Sequence, residues 1–335
     1  MTERPPVAAE RTMADRPPVA DILSLACRAP SVHNSQPWRW RAEGNRVDLF
    51  ADYRRQLVYA DPSRRDLMIS CGAALHHLQV AAAGLGWRTR ARRLPDASDE
   101  RHVATVLLRP STPSPLEVDL LGALVRRRTD RRRFTSWPVP PERLNSLASI
   151  GASWGAQVLP VPGEATREQL RRLTRRAERL QQRNQRYIAE LAAWMDGSRP
   201  EGVPAGHLPV RRGEDPDEAV YRRFPGGTLV EGDSGPGEPG DGMLLVCTSS
   251  DDTISRIRAG EALSAVWLRA TQDHLSLVPL SQAVEVDETR RELQTSILGD
   301  LAFPQILLRV GWPASSHSDL GPTPRRPLED VLELR

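Results

Sequence analysis

Residues 28–38 read Arg28-Ala29-Pro30-Ser31-Val32-His33-Asn34-Ser35-Gln36-Pro37-Trp38. Pro30 and Pro37 fix φ at two points and remove two backbone donors. Each pushes its predecessor, Ala29 or Gln36, toward extended geometry. Between them Ser31, His33, Asn34, Ser35 and Gln36 offer donors and acceptors on a stiffened loop. Such a loop can hold a planar polar ligand, such as a heterocycle with mixed donors and acceptors. It can also simply satisfy its own backbone, as loops rich in Ser and Asn often do. On its own the loop reads the second way; the segments around it change that.

Upstream, Val19, Ile22, Leu23 and Cys27 have helical spacing, so a short amphipathic helix over 18–28 ends at the loop;. Downstream, Trp38-Arg39-Trp40 and Arg46–Phe50 alternate around Glu43-Gly44-Asn45, which predicts a β-hairpin;. Asp61-Pro62-Ser63 starts a long helix through Leu67, Cys71, Ala74, Leu75, Leu78 and Ala82 that ends near Gly84 and Gly86;. His76 and His77 lie within it without a second ligand at helical spacing, and read as core or surface histidines;. Val103–Leu108 is a buried-type strand, and Pro110–Pro115 a linker.

A helix from Leu116 runs into Arg126-Arg127-Arg128-Thr129-Asp130-Arg131-Arg132-Arg133-Phe134, the densest positive charge in the chain. Three readings stand: a phosphate site of guanidiniums and Thr129, a nucleic-acid patch, or a solvated basic face. No aromatic interleaving supports the second. Beyond it come a short helix Pro141–Ile150, a strand Gln157–Val161, and a long helix 166–194 with a stripe of Leu170, Leu173, Ala177, Leu180, Tyr187, Leu191 and Trp194;. From Asp196 to Asp241 the composition shifts to Gly, Pro and charge, as in a lid, a functional loop or a disordered segment;. Then follow a strand Met243–Cys247, a helix Asp252–His274 capped by Ser250-Asp251, and a strand 277–282 that stops at Pro279. A helix Glu288–Leu298 and a strand Ile306–Val310 complete the pattern.

At 335 residues the chain has room for two domains or one large one;. Residues 1–17 read as a disordered leader without a secretory h-region, and the apolar runs read as short of a membrane span. All 46 basic side chains are Arg, a coding bias that weakens any reading of one arginine as selected. A net charge of +3 gives no case for nucleic acid;. Cys27, Cys71 and Cys247 are few and widely spaced, as in a reduced cytoplasmic protein;.

Gly72, Ala74, Leu75, Leu78 and Ala82 match Gly260, Ala262, Leu263, Val266 and Ala270 at a constant offset. Each set precedes a similar strand, Val106-Leu107-Leu108-Arg109 or Ile306-Leu307-Leu308-Arg309. This echo predicts two related α+β units paired as pseudo-subunits, with a site at their interface.

Ala29-Pro30-Ser31-x-x-Asn34-x-Gln36-Pro37-Trp38 resembles the flavin-contacting loop of the nitroreductase family. Arg127-x-Thr129-x-Arg131, ending at Phe134, is similar to that family's phosphate motif Arg-x-Ser-x-Arg/Lys-x-Phe, with Thr for Ser and the Phe spacing one residue off. Val278-Pro279-Leu280-Ser281-Gln282 resembles the segment whose backbone N–H faces flavin N5, and Arg325-Arg326-Pro327 the C-terminal phosphate clamp. The wording of 29–40 and Ser70–Leu78 closely resembles the Acg subfamily of actinobacterial nitroreductase-like proteins.

The resemblance implies an α+β, nitroreductase-like fold, internally duplicated so that one chain mimics a homodimer. Its halves would be 18–112 and 116–335, with 196–241 a flexible lid. It implies one FMN site. Pro30, Ser31, Asn34 and Gln36 would hold the ring from one side, Pro279, Leu280, Ser281 and Gln282 would lie beside N5, and Arg127, Arg128, Thr129, Arg131, Arg325 and Arg326 would hold the phosphate. The activity implied is NAD(P)H-dependent reduction of nitro or quinone acceptors, by a monomeric pseudo-dimer or a homodimer. The alternative is a catalytically silent protein that sequesters FMN under the lid. Metal, nucleic acid and membrane are not expected as partners.

Overall fold

The computed structural model describes residues 16–161, 163–195, 201–210, 226–230, 240–314 and 319–335. The expected leader lies outside the described residues apart from 16 and 17, as does most of the expected lid.

Helix α1 (Val19–Ala26) turns Ile22, Leu23 and Ala26 inward and stops just before the Pro-Ser loop. Strands β1 (Trp38–Glu43) and β2 (Arg46–Ala51) form the expected hairpin around Gly44, whose φ is +57°;. Helix α2 (Arg65–Gly84) begins later than Asp61. Arg64 is left-handed, and the Asp61 carboxylate instead accepts the Leu67 N–H (2.8 Å). By length and hydropathy α2 could cross a membrane, contrary to the reading of the apolar runs, but nearly all of it is buried in the core. Strands β3 (Trp87–Arg93) and β4 (His102–Pro110) follow. β3 escapes sequence reading because Arg88, Arg90 and Arg92 mask the alternation, while Trp87 is turned inward.

Helix α3 (Pro115–Arg126) starts at a Ser114–Glu117 capping box and leads into the arginine run;. After α4 (Pro141–Ala152) and β5 (Gln157–Pro160) come α5 (Gly163–Gln182) and α6 (Gln185–Met195). These two replace the single helix expected over 166–194. Asn184 breaks it by accepting the N–H groups of Arg186 (3.1 Å) and Tyr187 (3.3 Å), which starts a new helix;.

The chain resumes with β6 (Gly242–Thr248), α7 (Thr253–Gln272), β7 (Ser276–Leu280), α8 (Gln282–Glu285), α9 (Asp287–Ser296), β8 (Phe303–Gly311), α10 (Leu328–Val331) and β9 (Leu332–Leu334). α7 is capped by Asp252, which accepts the Ser255 N–H (2.8 Å). Asp251 is held instead by Arg290 (2.7 and 2.8 Å). β7 runs through Pro279 rather than stopping there, as its edge position permits;.

The strand orders β3-β4-β2-β1 and β7-β8-β6-β5 are the same, all antiparallel, and in each copy the long helix joins the second strand to the third. Even the register irregularity recurs, at Leu49/Phe50 and at Val246/Cys247. The copies differ where the Gly44-Asn45 turn of the first becomes residues 161–241 in the second. β9 crosses back to pair parallel with β1, so the tail of the chain completes the first sheet and the boundary near 112–116 does not separate the sheets.

Helices α2 and α7 pack on each other at the two echoing glycines. A Cβ on Gly72 would lie 2.0 Å from the Ile257 carbonyl oxygen, and one on Gly260 1.9 Å from that of Ile69. The collisions are reciprocal, as a two-fold contact requires. His76 meets its own counterpart, Ser264, with Nδ1 and Oγ 2.7 Å apart. Gly260→Ala should lower stability by about 1–3 kcal/mol, because overpacking outweighs the ~1 kcal/mol of helix propensity gained. A urea midpoint that does not fall would contradict the close crossing.

His76 and His77 are buried at this crossing. Burial lowers the His76 pKa from 6.5 to about 3, and burial together with the Arg127 charge lowers that of His77 well below its ordinary value. Unfolded chains take up the His76 proton at pH 6.5 and the folded protein only near 3, so its contribution is full above 6.5 and lost as pH falls. The slope is about 1.4 kcal/mol per pH unit. Asp61 opposes it: burial and the Asp66 charge raise its pKa to about 7, so the fold holds that proton before the unfolded chain does. Comparing unfolding of wild type and His76→Asn between pH 4 and 7 isolates the histidine. The variant should lose this part of the slope, and parallel curves would refute it.

Candidate functional site

Between the two copies lies a cavity of about 180 Å³. The Pro-Ser loop, the arginine run, the β7–α8 junction and the C-terminal tail line it, together with Val203, His207 and Pro209. α2 contributes Asp66, Ile69 and Ser70, and α7 contributes Leu263 and Trp267.

The Pro-Ser loop turns sharply. His33, Asn34 and Gln36 have φ of 48°, 56° and 49°. Left-handed backbone at non-glycine residues costs about 1–3 kcal/mol each. Local bonds hold it there: the Gln36 N–H donates to Ser31 Oγ (3.0 Å) and the Val32 N–H to Ser70 Oγ (3.2 Å). Asn34 Nδ2 donates to the carbonyls of Gly202 and Pro324, both at 2.9 Å. Pro30, Ser31 and Asn34 line the cavity as expected; Gln36 does not. It is fully buried, donates to the Asn34 carbonyl and accepts the Arg326 N–H (2.9 Å), so it ties the loop to the tail.

The arginine run sorts itself by direction. Arg127, Arg128, Thr129 and Arg131 reach the cavity. Arg132 is buried against Asp130 (both contacts 2.8 Å), so the run is not a solvated face. Phe134 is buried under the Arg309 guanidinium, 3.9 Å from the ring centroid. Arg127 is the unusual member. It is 6% exposed, packs over Trp267 (4.5 Å) and donates Nη2 to the Arg28 carbonyl (3.1 Å), while Nε and Nη1 have no partner. Burial, then the guanidiniums of Arg325, Arg128 and Arg28, push its pKa well below the ordinary arginine value. A buried, half-satisfied cation among other cations is a place for an anion.

Arg325 also lines the cavity, but its donors are engaged. They go to the carbonyls of Cys27 (2.9 Å) and Arg28 (3.0 Å), where α1 ends, and to Asn34 Oδ1 (3.0 Å);. Burial first, then Arg28, lowers its pKa to about 10. Arg326 departs from expectation. Its guanidinium turns away to Asp52 (4.0 Å) and the Asp330 carbonyl (3.2 Å), and it does not line the cavity. Pro279, Leu280, Ser281 and Gln282 also line the cavity. Arg28, Ser70 and Trp267 were not anticipated. Trp267 could have been found: it is the aromatic in α7 where the matching position of α2 holds Gln79.

The site thus joins the anion-seeking Arg127 to a largely apolar cavity that Pro30 and Leu280 also line. No protein-family model matches the chain. Over 332 residues it is 38% identical to a Mycobacterium tuberculosis (strain H37Rv) protein provisionally named NAD(P)H nitroreductase Rv3131, covering 98% of this chain and 94% of that one. The chain belongs to the nitroreductase family. Within that family it is also similar to the M. tuberculosis protein provisionally named NAD(P)H nitroreductase Acg, at 33% identity over 97% of this chain and 98% of the other. A solved nitroreductase with bound FMN from Desulfitobacterium hafniense DCB-2 is similar at 12% identity with a TM-score of 0.40, over 63% of this chain and 95% of that one. The nitroreductase fold is here an α+β unit written twice in one chain.

Proposed function

We propose that the protein binds FMN in this cavity and uses it to carry electrons from NAD(P)H to a small acceptor, a nitro compound or a quinone. Arg127 carries this reading. Its unpartnered Nε and Nη1 suit the terminal phosphate of FMN, with Arg128 and Thr129 beside them;. Pro30, Ser31 and Leu280 suit a planar ring. FMN, when bound, supplies the chemistry by taking a hydride from NAD(P)H and passing electrons on. The chain's part is to neutralise the phosphate, fix the ring and exclude water. The names of the relatives support NAD(P)H as reductant. We read the chain as a cytoplasmic monomer, since the duplication supplies both sides of the site and the three cysteines are free and buried.

Phosphate anchoring is tested by titrating FMN and riboflavin. FMN should bind at least about a hundredfold tighter, the lower end of what two charge-assisted bonds are worth. Equal affinities would remove the phosphate site. One observation favours the sequestering alternative: Val203, His207 and Pro209 line the cavity, and Asn34 and Gly321 bond the backbone and side chain of this segment (2.9 and 2.8 Å). A lid here would shield the flavin. Steady NAD(P)H oxidation with a nitroaromatic or quinone would exclude pure sequestration; none from an FMN-loaded sample would exclude the enzyme for those acceptors.

A further inference from the structure

Where β7 enters α8, helix α5 lies alongside and three side chains form a directed chain. Glu285 accepts from Ser281 Oγ (2.6 Å) with one oxygen and from Gln181 Nε2 (2.8 Å) with the other. A carboxylate only accepts, so Gln181 must turn its NH₂ toward Glu285 and its carbonyl away. That carbonyl accepts from Gln282 Nε2 (3.0 Å). Gln282 must then present its own carbonyl on the far side. Amide orientation is ordinarily a choice between two flips; here the charge at the end of the chain decides it. Gln282 is 5% exposed and lines the cavity, and its Oε1 is buried with no hydrogen-bond partner. The other amide on the cavity wall, Asn34, is already engaged at both ends, by Arg325 on its oxygen and by the carbonyls of Gly202 and Pro324 on its nitrogen.

A buried carbonyl without a donor is costly unless a ligand brings one. Oxidised isoalloxazine carries a single N–H, at N3 between two carbonyl groups. We propose that Gln282 Oε1, locked by Gln181 and Glu285, is the acceptor for this imide N–H and makes the site selective for rings that carry it. The inference rests on the FMN reading and deepens it. Gln282 cannot donate at that position, because its NH₂ is held by Gln181. The site therefore discriminates against rings alkylated at N3.

The test uses Gln282→Met, which keeps the length of the side chain and removes the acceptor. FMN and N3-methyl-FMN are titrated against wild type and variant, and urea unfolding is followed without ligand. FMN affinity should fall about tenfold in the variant, the worth of one neutral hydrogen bond. N3-methyl-FMN affinity should be the same for both proteins. The ligand-free variant should differ little in stability from wild type, because the Oε1 without a donor and the bond to Gln181 (3.0 Å) are lost together;. A loss of FMN affinity at near-constant stability thus separates binding from folding. Gln181→Met, which frees Gln282 to rotate, should lose a smaller part of the FMN affinity. Unchanged FMN binding by Gln282→Met would overturn the assignment. So would equal losses for both flavins, which would place the donor among the ribityl hydroxyls. A wild-type protein that takes up no FMN would fail the FMN reading itself, and this assignment with it.

Discussion

Replacing Arg127 by methionine will weaken FMN binding by about a hundredfold while making the ligand-free protein more stable. The two effects have one cause. Without an anion, Arg127 is a buried cation with two donors unpaired, beside Arg28, Arg128 and Arg325. Removing water from such an ion costs several kcal/mol. Against that stand its stacking on Trp267 and one bond to the Arg28 carbonyl, worth about 2–3 kcal/mol together. Methionine keeps an apolar stem over Trp267 and removes the ion, so the balance favours the variant by about 1 kcal/mol or more. With FMN bound the sign reverses, because phosphate gives those donors acceptors. Losing such a contact costs about 2–5 kcal/mol, the lower end of which is a factor of about thirty and the middle several hundred. Urea unfolding without ligand and a flavin-fluorescence titration measure the two arms. A variant that is less stable and binds FMN normally would make Arg127 a structural residue.

The second large effect lies at the other side of the α2–α7 pair. Glu261 is completely buried on α7, bonded to Arg93 (2.7 and 2.8 Å) and to Gln79 (3.0 Å). Gln79 matches Trp267 in the echo, so the position that gives α7 an aromatic cavity wall gives α2 an amide bonded to the buried Glu261. Arg93→Met should cost about 3–5 kcal/mol, because Glu261 is left without its cation. Burial already raises the Glu261 pKa despite Arg93 and Gln79. Without Arg93 the carboxyl folds only in its protonated form, so the penalty should grow as pH rises above the unfolded carboxylate range. Arg93→Met with Glu261→Leu should recover most of the loss. A single variant as stable as wild type, with no pH dependence, would show that the pair holds nothing.

The duplication was legible because it is written in positions where physics allows little choice. Gly72 and Gly260 sit where two helix backbones touch, and no other residue fits. The Pro-Ser loop was legible for a similar reason, since two prolines and a dense set of donors constrain its path. Direction was not legible. Arg127 and Arg132 are chemically identical, and only the turn of the chain after α3 sends one to the cavity and the other to Asp130. Arg325 and Arg326 are adjacent on an extended segment, so their side chains diverge, and one of them misses the site. Gln36 looked like a ligand contact because its amide is polar; the fold uses that amide to fasten the tail. β3 was hidden by its arginines, and the break between α5 and α6 depends on one capping asparagine inside an otherwise helical pattern.

The most direct measurement is the visible absorbance of the purified protein, with release, identification and quantitation of any chromophore. A flavin spectrum with about one FMN per chain, or stoichiometric uptake of added FMN by colourless protein, is the expected result. Colourless protein that takes up no FMN would contradict it, and the Pro-Ser loop and the Arg127 cluster would then have to be explained without a flavin.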